Sequence, residues 1–496
     1  MSNTTKTTED LFPAPKPLES TGPASLPTPA VWPGISPAST QALRNALQVN
    51  HEKWHVYFDL QGFHNHIAHY VLALWTLGAP AEIISAAYAS LEGEQMRVIE
   101  SPGKITRENF GIHLGDHRYW KAYIAFFRDV MKTKSVSEVL EEYVFDIKAN
   151  FDGGENGQEM LNRFLDMLLH PIIHTGYGIE LGIPGMVIEG LASTAVHNTT
   201  ASVLIRPSLW STSIERSIES LTLQEAPLNN KNIHAFTVLA RILNDPRFHG
   251  ITLDDTAAAM YSLTLTRWGD AIREHADAWS YNASDPAEVA RKIEELAWAN
   301  TIIYGVAGWD KATGDFNADF FGMHLVTSTI FLPTIAAHLK PASQERLLRA
   351  YFVVCLSWWI MRGRPGFDIK GFFAQDTAYP LPQSSTPSVT TPLIVSPESP
   401  QAHTPNPWFH IIQHALTNPD DHLPKLQRAL AHWGSVYGSR KAGKADFEGT
   451  ELEGAESLDG SLFLRVAGLT KARMVRLREE HVEGPRYWDR RGFYAA

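Results

Sequence analysis

Residues 63–79 of the chain read FHNHIAHYVLALWTLGA, and they decide the fold class because their apolar side chains recur at helical spacing. The apolar run ends at Gly78, which is a helix stop signal. Three histidines, His64, His66 and His69, open the segment. His66 and His69 are three residues apart and share one face of the predicted helix, whereas His64 points away from it. The segment therefore predicts a buried helix whose first turn carries imidazoles.

Helical spacing continues along most of the chain, and alternating strand patterns are scarce. We therefore predict an all-α, mainly helical protein with one large body over residues 41–470 and a charged C-terminal tail, residues 471–496, packed on it. Residues 1–40 are rich in Ser, Thr and Pro and predict a disordered leader. A Pro/Ser-rich stretch at 375–407 predicts a long surface loop within the body. The best strand candidate is GSLFLRV, residues 460–466.

In each predicted helix, apolar residues recur three and four positions apart. They cover residues 63–78, 81–91, 159–169, 187–197, 233–244, 253–279, 286–304, 320–338, 343–361 and 423–437. Asp285 followed by Pro286 is an N-cap with proline at the first helical position, which supports the start of one of them. No internal repeat is evident.

The composition excludes several classes of protein. With a net charge of −11 over 496 residues, the chain lacks the basic balance of a nucleic-acid binder. No secretory signal is visible and no apolar stretch reaches the roughly 18 residues of a membrane span, so we expect a soluble, cytoplasmic protein without a membrane partner. The single cysteine, Cys355, excludes an internal disulfide framework and a metal site made of thiolates. The oligomeric state stays open.

The 21 histidines carry the strongest chemical signal in the sequence. Imidazole is a common ligand of borderline transition metals, and two imidazoles at helical spacing point the same way. The candidate ligands lie on separate predicted helices and are His66 with His69, His170 with His174, His324, and His410 with His414. Several such helices could place their imidazoles around one metal ion.

Each histidine group taken alone has a second interpretation. Pro171 predicts a bend or a new helix start between His170 and His174, so that pair also fits a packed helix junction. The other groups also fit histidines that hydrogen-bond to backbone or to neighbouring side chains. His422 and His432 are assigned to surface or structural roles. Phosphate-binding loops, the nucleophile elbow and dinucleotide fingerprints are absent from the sequence.

The segments that carry these histidines resemble the questin oxidase-like family of fungal polyketide pathways. The resemblance rests on residues 63–79, on HPIIHTGYGIELG at 170–182, on LAWANTIIYGVAGW at 296–309, on FFGMHLVTSTIFLP at 320–333 and on WFHIIQHALTNPDDHLPK at 408–425. It implies an oxygenase of fungal secondary metabolism that opens the quinone ring of an anthraquinone in a Baeyer–Villiger-like C–C cleavage. The substrate would be a small aromatic polyketide, and O2 the co-substrate.

The family resemblance also implies a cofactor, because in at least one branch several histidines and a carboxylated lysine hold a non-haem iron. It makes Fe(II) the expected metal, with His66, His69, His174 and His324 as leading ligands and His170, His410 and His414 in reserve. Lys370, in RGRPGFDIKGFF, is the candidate carboxylated lysine, since a carbamate forms only on a neutral amine and apolar neighbours or nearby cations favour that form. Tyr177 is the candidate acid/base group.

Two alternatives stay open beside the iron oxygenase. The first is a metal-independent, NADPH-assisted Baeyer–Villiger-type oxidase of the same family, in which the histidines serve acid/base chemistry and packing. The second is a helical binding protein without turnover. The two dinucleotide-binding domains of flavin enzymes are not visible in the sequence, which favours a metal over a flavin.

Overall fold

A computed structural model describes residues 10–17, 27–60, 62–152, 157–211, 233–250, 257–378, 406–480 and 487–491. These residues form helices joined by loops, with four isolated β-bridges and no β-strand among them. The prediction of an all-α fold is therefore confirmed. No helix in the described ranges is long and apolar enough to cross a membrane.

Nineteen α-helices are described, and we number them in chain order. They are α1 Pro37–Lys53, α2 Ile67–Thr76, α3 Ala81–Glu92, α4 Trp120–Met131, α5 Val136–Leu140, α6 Lys148–Phe151, α7 Met160–Leu181, α8 Pro184–Val196, α9 Ala235–Asn244, α10 Ala257–Asp277, α11 Pro286–Thr301, α12 Phe320–Thr329, α13 Leu332–Ala336, α14 Pro341–Met361, α15 Ile369–Ala374, α16 Pro407–Thr417, α17 Leu423–Tyr437, α18 Ala445–Glu448 and α19 Ser461–Glu479. Two π-helical turns, Glu141–Phe145 and Ile302–Val306, extend α5 and α11.

Local sequence sets the starts of several helices. Asp285 accepts a hydrogen bond from the N–H of Ala287 and Pro286 begins α11, as the sequence predicts. Asp319 accepts from the N–H groups of Phe321 and Gly322 and so caps α12. A side-chain cap satisfies N–H groups that have no partner within the helix, and it is typically worth about 1 kcal/mol. These caps fix where α11 and α12 enter the core.

The core is built around α7, which packs most extensively against α8 and also contacts α2 and α12. The close approach of α7 and α8 depends on glycine, because a Cβ on Gly178 would lie 2.6 Å from the backbone nitrogen of Val187. Helix α17 packs against both α2 and α12. Four helices from distant parts of the sequence, α2, α7, α12 and α17, therefore surround one buried region.

Helix α7 is bent just before this region. Met167, Leu168 and Leu169 have φ angles of 44°, 56° and 66°, in the left-handed region that non-glycine residues rarely adopt. The bend therefore lies before His170, and the prediction of a bend between His170 and His174 at Pro171 is wrong in position, since both histidines belong to the helical segment that follows the bend. Backbone strain of this kind costs of order 1–3 kcal/mol per residue and persists only where the surroundings enforce it.

Three sequence predictions differ from the structure in detail. Residues 460–466, the best strand candidate, belong to α19, whose Gly460 N-cap and buried face at Leu462 and Phe463 follow helical geometry. That helix also crosses residue 470, where we predicted the body to end. The part of the predicted leader that the structure describes is packed, since Phe12 is buried in the core. Most of the predicted loop at 375–407 lies outside the described residues.

Candidate metal centre

Four histidines meet where α2, α7, α12 and α17 pack together. His66 precedes α2, His170 follows the bend in α7, His324 lies within α12, and His422 precedes α17. The rings form a closed circuit of neighbours, with centroids 4.9 Å apart for His66–His170, 5.0 Å for His170–His324, 5.2 Å for His324–His422 and 4.6 Å for His422–His66. Ligand atoms of His66, His170 and His324 lie within 4.8 Å of one another. The fold thus gathers imidazoles that are far apart in sequence.

His66 and His170 each use Nδ1 as a hydrogen-bond donor to an oxygen. The Nδ1–H of His66 donates to Asp421 Oδ2 at 2.5 Å, and that of His170 donates to the backbone carbonyl of Met167. Burial lowers the pKa of His66 to about 3 and the pKa of His170 well below its usual range, so both rings are neutral. A neutral ring has one N–H, which here is on Nδ1, and Nε2 therefore carries a lone pair.

The two Nε2 atoms of His66 and His170 face each other at 2.7 Å. This is hydrogen-bond distance, yet neither nitrogen has a proton to share when both Nδ1 atoms are protonated. Two lone pairs this close repel each other unless a cation lies beside them. The pair therefore fits two ligands of one metal ion better than it fits a hydrogen bond.

His324 and His422 are arranged in the same way. The Nδ1–H of His324 donates to the carbonyl of Phe320 at 2.7 Å, and Nδ1 of His422 lies 3.0 Å from Asp421 Oδ1. In the part of the chain that the structure describes, Nε2 of each ring has no hydrogen-bond partner. An unpaired buried acceptor costs about 1–3 kcal/mol. His66, His170 and His324 bring three imidazole nitrogens together, a donor set that fits a borderline divalent metal such as Fe(II), and the His422 ring adjoins the rings of His66 and His324.

Asp421 lies behind two of these histidines, with one carboxylate oxygen at His66 Nδ1 and the other at His422 Nδ1. Burial would raise the pKa of Asp421, but His422, Lys425 and His66 outweigh it and hold that pKa well below its usual range. Both oxygens of the carboxylate are engaged by imidazole N–H groups. Asp421 is thus placed to orient both rings, and with His66 and His422 it also forms a second group whose possible ligand atoms lie within 4.8 Å of one another.

Lys425 is a buried lysine at the edge of the histidine circuit. Its side chain is 3% exposed, and Nζ lies 3.4 Å from Asp421 Oδ2. Burial lowers the pKa of Lys425, although Asp421 and Asp420 act in the opposite direction. Burial is the main cause of the lowered pKa of His66 and of His324, and a charge on Lys425 contributes in the same direction.

His69 and His174, two of the leading predicted ligands, lie beside the circuit in a separate hydrogen-bonded chain. His69 Nε2 is 3.0 Å from His174 Nδ1, and His174 Nε2 is 2.9 Å from Glu189 Oε2. Glu189 Oε1 is 2.7 Å from Nδ1 of His51 on α1. Among the described residues, neither His69 nor His174 belongs to a group of three or more possible ligands whose ligand atoms all lie within 4.8 Å of one another. Their role as first ligands stays a prediction.

His64 lies closer to the circuit than its assignment as a bystander suggests. Its ring stacks on His170 with centroids 4.3 Å apart, and its Nε2 is 2.6 Å from His197 Nε2. His197 Nδ1 is 3.2 Å from the Tyr57 hydroxyl, which donates to the carbonyl of Val196 at 3.3 Å. His197 Nδ1 therefore carries its proton and His64 donates from Nε2, so His64 supports His170 through ring contact.

Tyr177, the predicted acid/base group, lies next to His69. The two ring centroids are 5.9 Å apart, and the Arg428 guanidinium lies 5.3 Å from the tyrosine ring. Burial raises the pKa of Tyr177 to about 12, with Arg428 opposing the shift. The phenol is therefore protonated near neutral pH and is available as a hydrogen-bond donor. Arg428 itself forms a buried ion pair with Glu180.

The environment of Lys370 is the opposite of the one we expected. Its side chain is 59% exposed and its Nζ lies 2.9 Å from Glu456 Oε1. The hydrogen bond to Glu456 raises the pKa of Lys370, whereas carbamate formation needs a neutral amine. The expectation that Lys370 has apolar surroundings is therefore wrong. Phe372, two residues further along, is buried in the core, whereas the Lys370 side chain is exposed.

His410 and His414 lie on α16, away from the circuit. His410 is exposed and His414 is half-buried, and neither belongs to a potential ligand group among the described residues. His422, which we assigned to a surface or structural role, is in contrast 6% exposed and lies inside the circuit. Helical spacing identifies histidines on one face of a helix, but it does not say which face is turned toward the other helices.

Asp421 and Lys425 are the functional candidates that the sequence prediction missed. Both lie in the run DDHLPK at 420–425, which places two carboxylates, an imidazole and a lysine at the start of a helix. Such a run usually marks a solvated helix N-terminus, and it gains another meaning only when α17 is buried. The charged run is visible in the sequence, but the burial of α17, which makes the run informative, is visible only in the structure.

Comparison with known proteins gives one family and several distant relatives. A family model described as questin oxidase-like matches residues 63–430, which include all four histidines of the circuit as well as Asp421 and Lys425. The chain is 28% identical over 295 residues to the oxidoreductase AflY of Aspergillus parasiticus, a match that covers 58% of this chain and 55% of that relative. The chain thus spans about half the length of AflY.

Two further relatives are matched at similar identity. The questin oxidase of Aspergillus terreus is 24% identical over 65% of this chain and 69% of its own length. The Baeyer–Villiger monooxygenase AacuH of Aspergillus aculeatus is 24% identical over 82% of this chain and 81% of its own length. These matches extend the similarity well beyond the segments that carry the histidines.

Proposed function

Because the chain belongs to the questin oxidase-like family, we propose that it is a non-haem iron-dependent oxygenase that cleaves a C–C bond of an anthraquinone ring. The names of the relatives, questin oxidase and Baeyer–Villiger monooxygenase, support an O2-dependent ring-opening oxidation in fungal secondary metabolism. The observation that carries the proposal for iron is the 2.7 Å contact between His66 Nε2 and His170 Nε2, two nitrogens without a proton between them.

The proposed metal ligands are Nε2 of His66, His170, His324 and His422. A ferrous ion held there would supply the binding and activation of O2. Asp421 orients two of the rings by accepting their Nδ1–H groups, and a carboxylate behind a metal-bound imidazole also raises its basicity. The backbone carbonyls of Met167 and Phe320 hold the other two rings.

Lys425 takes the place that we first gave to Lys370 as the candidate for carboxylation. Burial favours its neutral amine, which can add CO2 with loss of a proton to give a carbamate. The carbamate would contribute an anionic oxygen to a set of neutral imidazoles, as expected for a hard-to-borderline divalent ion. Asp421 stays with the imidazole N–H groups in this arrangement.

Aromatic side chains around the circuit suit a planar substrate and exclude water. The Phe320 ring lies 4.9 Å from the His324 ring and 5.1 Å from the His422 ring. Tyr177 lies on the side of His69, where its protonated hydroxyl can donate to a quinone oxygen.

The metal-independent, NADPH-assisted alternative accounts less well for the histidine circuit. Without a cation, the lone pairs of His66 and His170 face each other, and those of His324 and His422 are buried without partners. Each of these situations costs free energy that a protein without a metal has no reason to retain. A binding protein without turnover has the same difficulty.

Metal analysis of anaerobically purified protein tests the proposal. We expect about one iron per chain, and oxygen uptake with an anthraquinone that a chelator abolishes. His324→Ala should lose the iron, while His410→Ala, on the exposed part of α16, should keep it. Undiminished oxygen uptake by iron-free protein would contradict the proposal.

A further inference from the structure

Glu189 is a buried carboxylate that connects two imidazoles from different helices. It is 3% exposed and faces Nδ1 of His51 at 2.7 Å and Nε2 of His174 at 2.9 Å. A carboxylate only accepts hydrogen bonds, so both of these nitrogens carry protons. The single negative charge of Glu189 balances one imidazolium. We place that imidazolium at His51, because its side chain is 14% exposed and is the nearer of the two to solvent. We take His174 as the neutral partner on geometric grounds, because its side chain is 6% exposed and burial disfavours a charged ring.

The proton on His174 determines the position of the proton on His69. Neutral His174 with its proton on Nε2 has a lone pair on Nδ1, which lies 3.0 Å from His69 Nε2. His69 must donate from Nε2, and this leaves a lone pair on its own Nδ1. Among the described residues, His69 Nδ1 is buried and has no hydrogen-bond partner. The series of hydrogen bonds from Glu189 through His174 thus ends at His69 Nδ1, an acceptor that has no partner among the described residues.

This acceptor is close to the circuit but is not part of it. The His69 ring centroid is 6.1 Å from that of His66 and 5.9 Å from that of Tyr177. Within the described part of the chain, its nitrogens belong to no group of three or more possible ligands lying within 4.8 Å of one another. A buried acceptor in this position can pair with a donor on a bound molecule.

We propose that His69 Nδ1 accepts a hydrogen bond from a hydroxyl group on the aromatic substrate, and that Glu189 is the positioning residue that fixes His69 in this tautomer through His174. The inference rests on the proposed function, and it assigns a hydroxylated ring as the substrate class. A methoxy group at the same position has no proton to donate. A site with an unpaired buried acceptor discriminates against such an analogue.

The tautomers can be measured without substrate or metal by 15N NMR of histidine-labelled protein. Signals of His69 and His174 are assigned by subtracting the spectra of His69→Phe and His174→Phe. We expect both rings to be neutral with the proton on Nε2. Glu189→Gln, whose amide oxygen can still accept, should preserve this pattern, and Glu189→Ala should lose it. A proton on Nδ1 of His69 in the wild-type protein would overturn the inference, whether or not the Glu189 variants fold.

Binding measurements test the acceptor role directly, using a dihydroxyanthraquinone and its dimethyl ether as probes. We expect the wild-type protein to prefer the hydroxylated probe by about tenfold or more, the value of one hydrogen bond. His69→Phe should abolish the preference and His410→Phe should retain it. A preference that survives in His69→Phe would overturn the inference.

Iron content of His69→Phe separates this role from that of a ligand. We expect the variant to keep the iron that His324→Ala loses, and loss of iron would overturn the inference by making His69 a ligand. Failure of the proposed function has a different signature: iron and oxygen uptake are absent in the wild-type protein while its His69 and His174 tautomers are those described here.

Discussion

The Nε2 atoms of His66 and His170 lie 2.7 Å apart, although the proton of each neutral ring is on Nδ1. The two histidines come from helices separated by about a hundred residues of sequence, so the contact is made by the fold and not by local geometry. His324 and His422 complete the circuit of rings, and among the described residues the Nε2 atoms of both are buried without a hydrogen-bond partner. Four lone pairs held in this way are the central structural argument for a metal.

Ferrous ion should stabilise the folded protein. At about 100 times the dissociation constant, a ligand that binds only the folded state adds about 3 kcal/mol to the free energy of unfolding. We expect anaerobic addition of Fe(II) to metal-free protein to raise the melting temperature by several degrees, as measured by calorimetry. His170→Ala should remove the shift, and His414→Ala should keep it. An equal shift in both variants would indicate binding elsewhere.

Lys425 should be the carboxylated lysine. With 13C-labelled bicarbonate, we expect a carbamate signal in the NMR spectrum of the wild-type protein and of Lys370→Ala, but not of Lys425→Met. Loss of the anionic oxygen should also weaken iron binding by tenfold or more. Lys370 is the matched control because it is exposed and paired with Glu456. A carbamate signal that persists in Lys425→Met would refute the assignment.

Trp488 should support the metal centre from outside the region that the family model covers. Its Nε1–H donates to Asp420 Oδ2 at 2.8 Å, while Asp420 Oδ1 accepts from the N–H groups of His422 and Leu423 at 2.9 Å each. Trp488→Phe removes a hydrogen bond to a charged group, so we expect a loss of about 2 kcal/mol in the free energy of unfolding and weaker iron binding.

Trp210 provides the control for Trp488. Its Nε1–H donates to the carbonyl of Phe145 at 2.8 Å, far along the chain from the histidine circuit. Trp210→Phe should cost about 1 kcal/mol of stability and leave iron affinity unchanged. Urea unfolding and iron titration of both variants make the comparison. Equal iron affinity in the two variants would show that Trp488 stabilises the fold only.

Acidification should destabilise the protein through His55. This fully buried ring donates from Nε2 to the carbonyl of His117 at 2.9 Å and accepts at Nδ1 from the N–H of Tyr57 at 3.1 Å, so it has no room for a second proton. Burial lowers the pKa of His55 to about 4. In the unfolded chain its pKa is about 6.5, so only the unfolded state takes up a proton between these values.

The sign and size of this effect follow from the two pKa values. The contribution of neutral, buried His55 to the free energy of unfolding is complete above about pH 6.5. It falls by about 3 kcal/mol as the pH drops to about 4. Urea unfolding at several pH values should therefore show a steeper acid loss for the wild-type protein than for His55→Gln. Parallel pH profiles for the two proteins would show that His55 is not the group responsible.

Much of the fold could be predicted from the sequence because its signals are local. The apolar spacing at 63–78 and the Asp285–Pro286 start act within a few residues, and the structure confirms both. The bend that we predicted at Pro171 lies a few residues earlier, at 166–169. The segment at 460–466 was different, because GSLFLRV alternates over a short window while its continuation is helical. A short apolar run does not distinguish strand from helix.

The sequence predicted a site made of histidines from several helices, but it did not predict which histidines belong to that site. His66, His170 and His324 were on the candidate list, yet spacing could not show that His66 meets His170 while His69 meets His174. Each partner choice depends on how two helices are rotated against each other. Lys370 and Lys425 show the same limit, since both have apolar neighbours in sequence but only Lys425 is buried.

X-ray absorption spectroscopy at the iron edge tests the central claim most directly. Protein loaded anaerobically with Fe(II) should give a first shell of nitrogen and oxygen at about 2.1 Å, with the multiple-scattering pattern of about four imidazoles. His324→Ala should reduce the imidazole count or abolish iron binding. An iron shell with one imidazole or none in the wild-type protein would contradict the assignment of His66, His170, His324 and His422 as ligands.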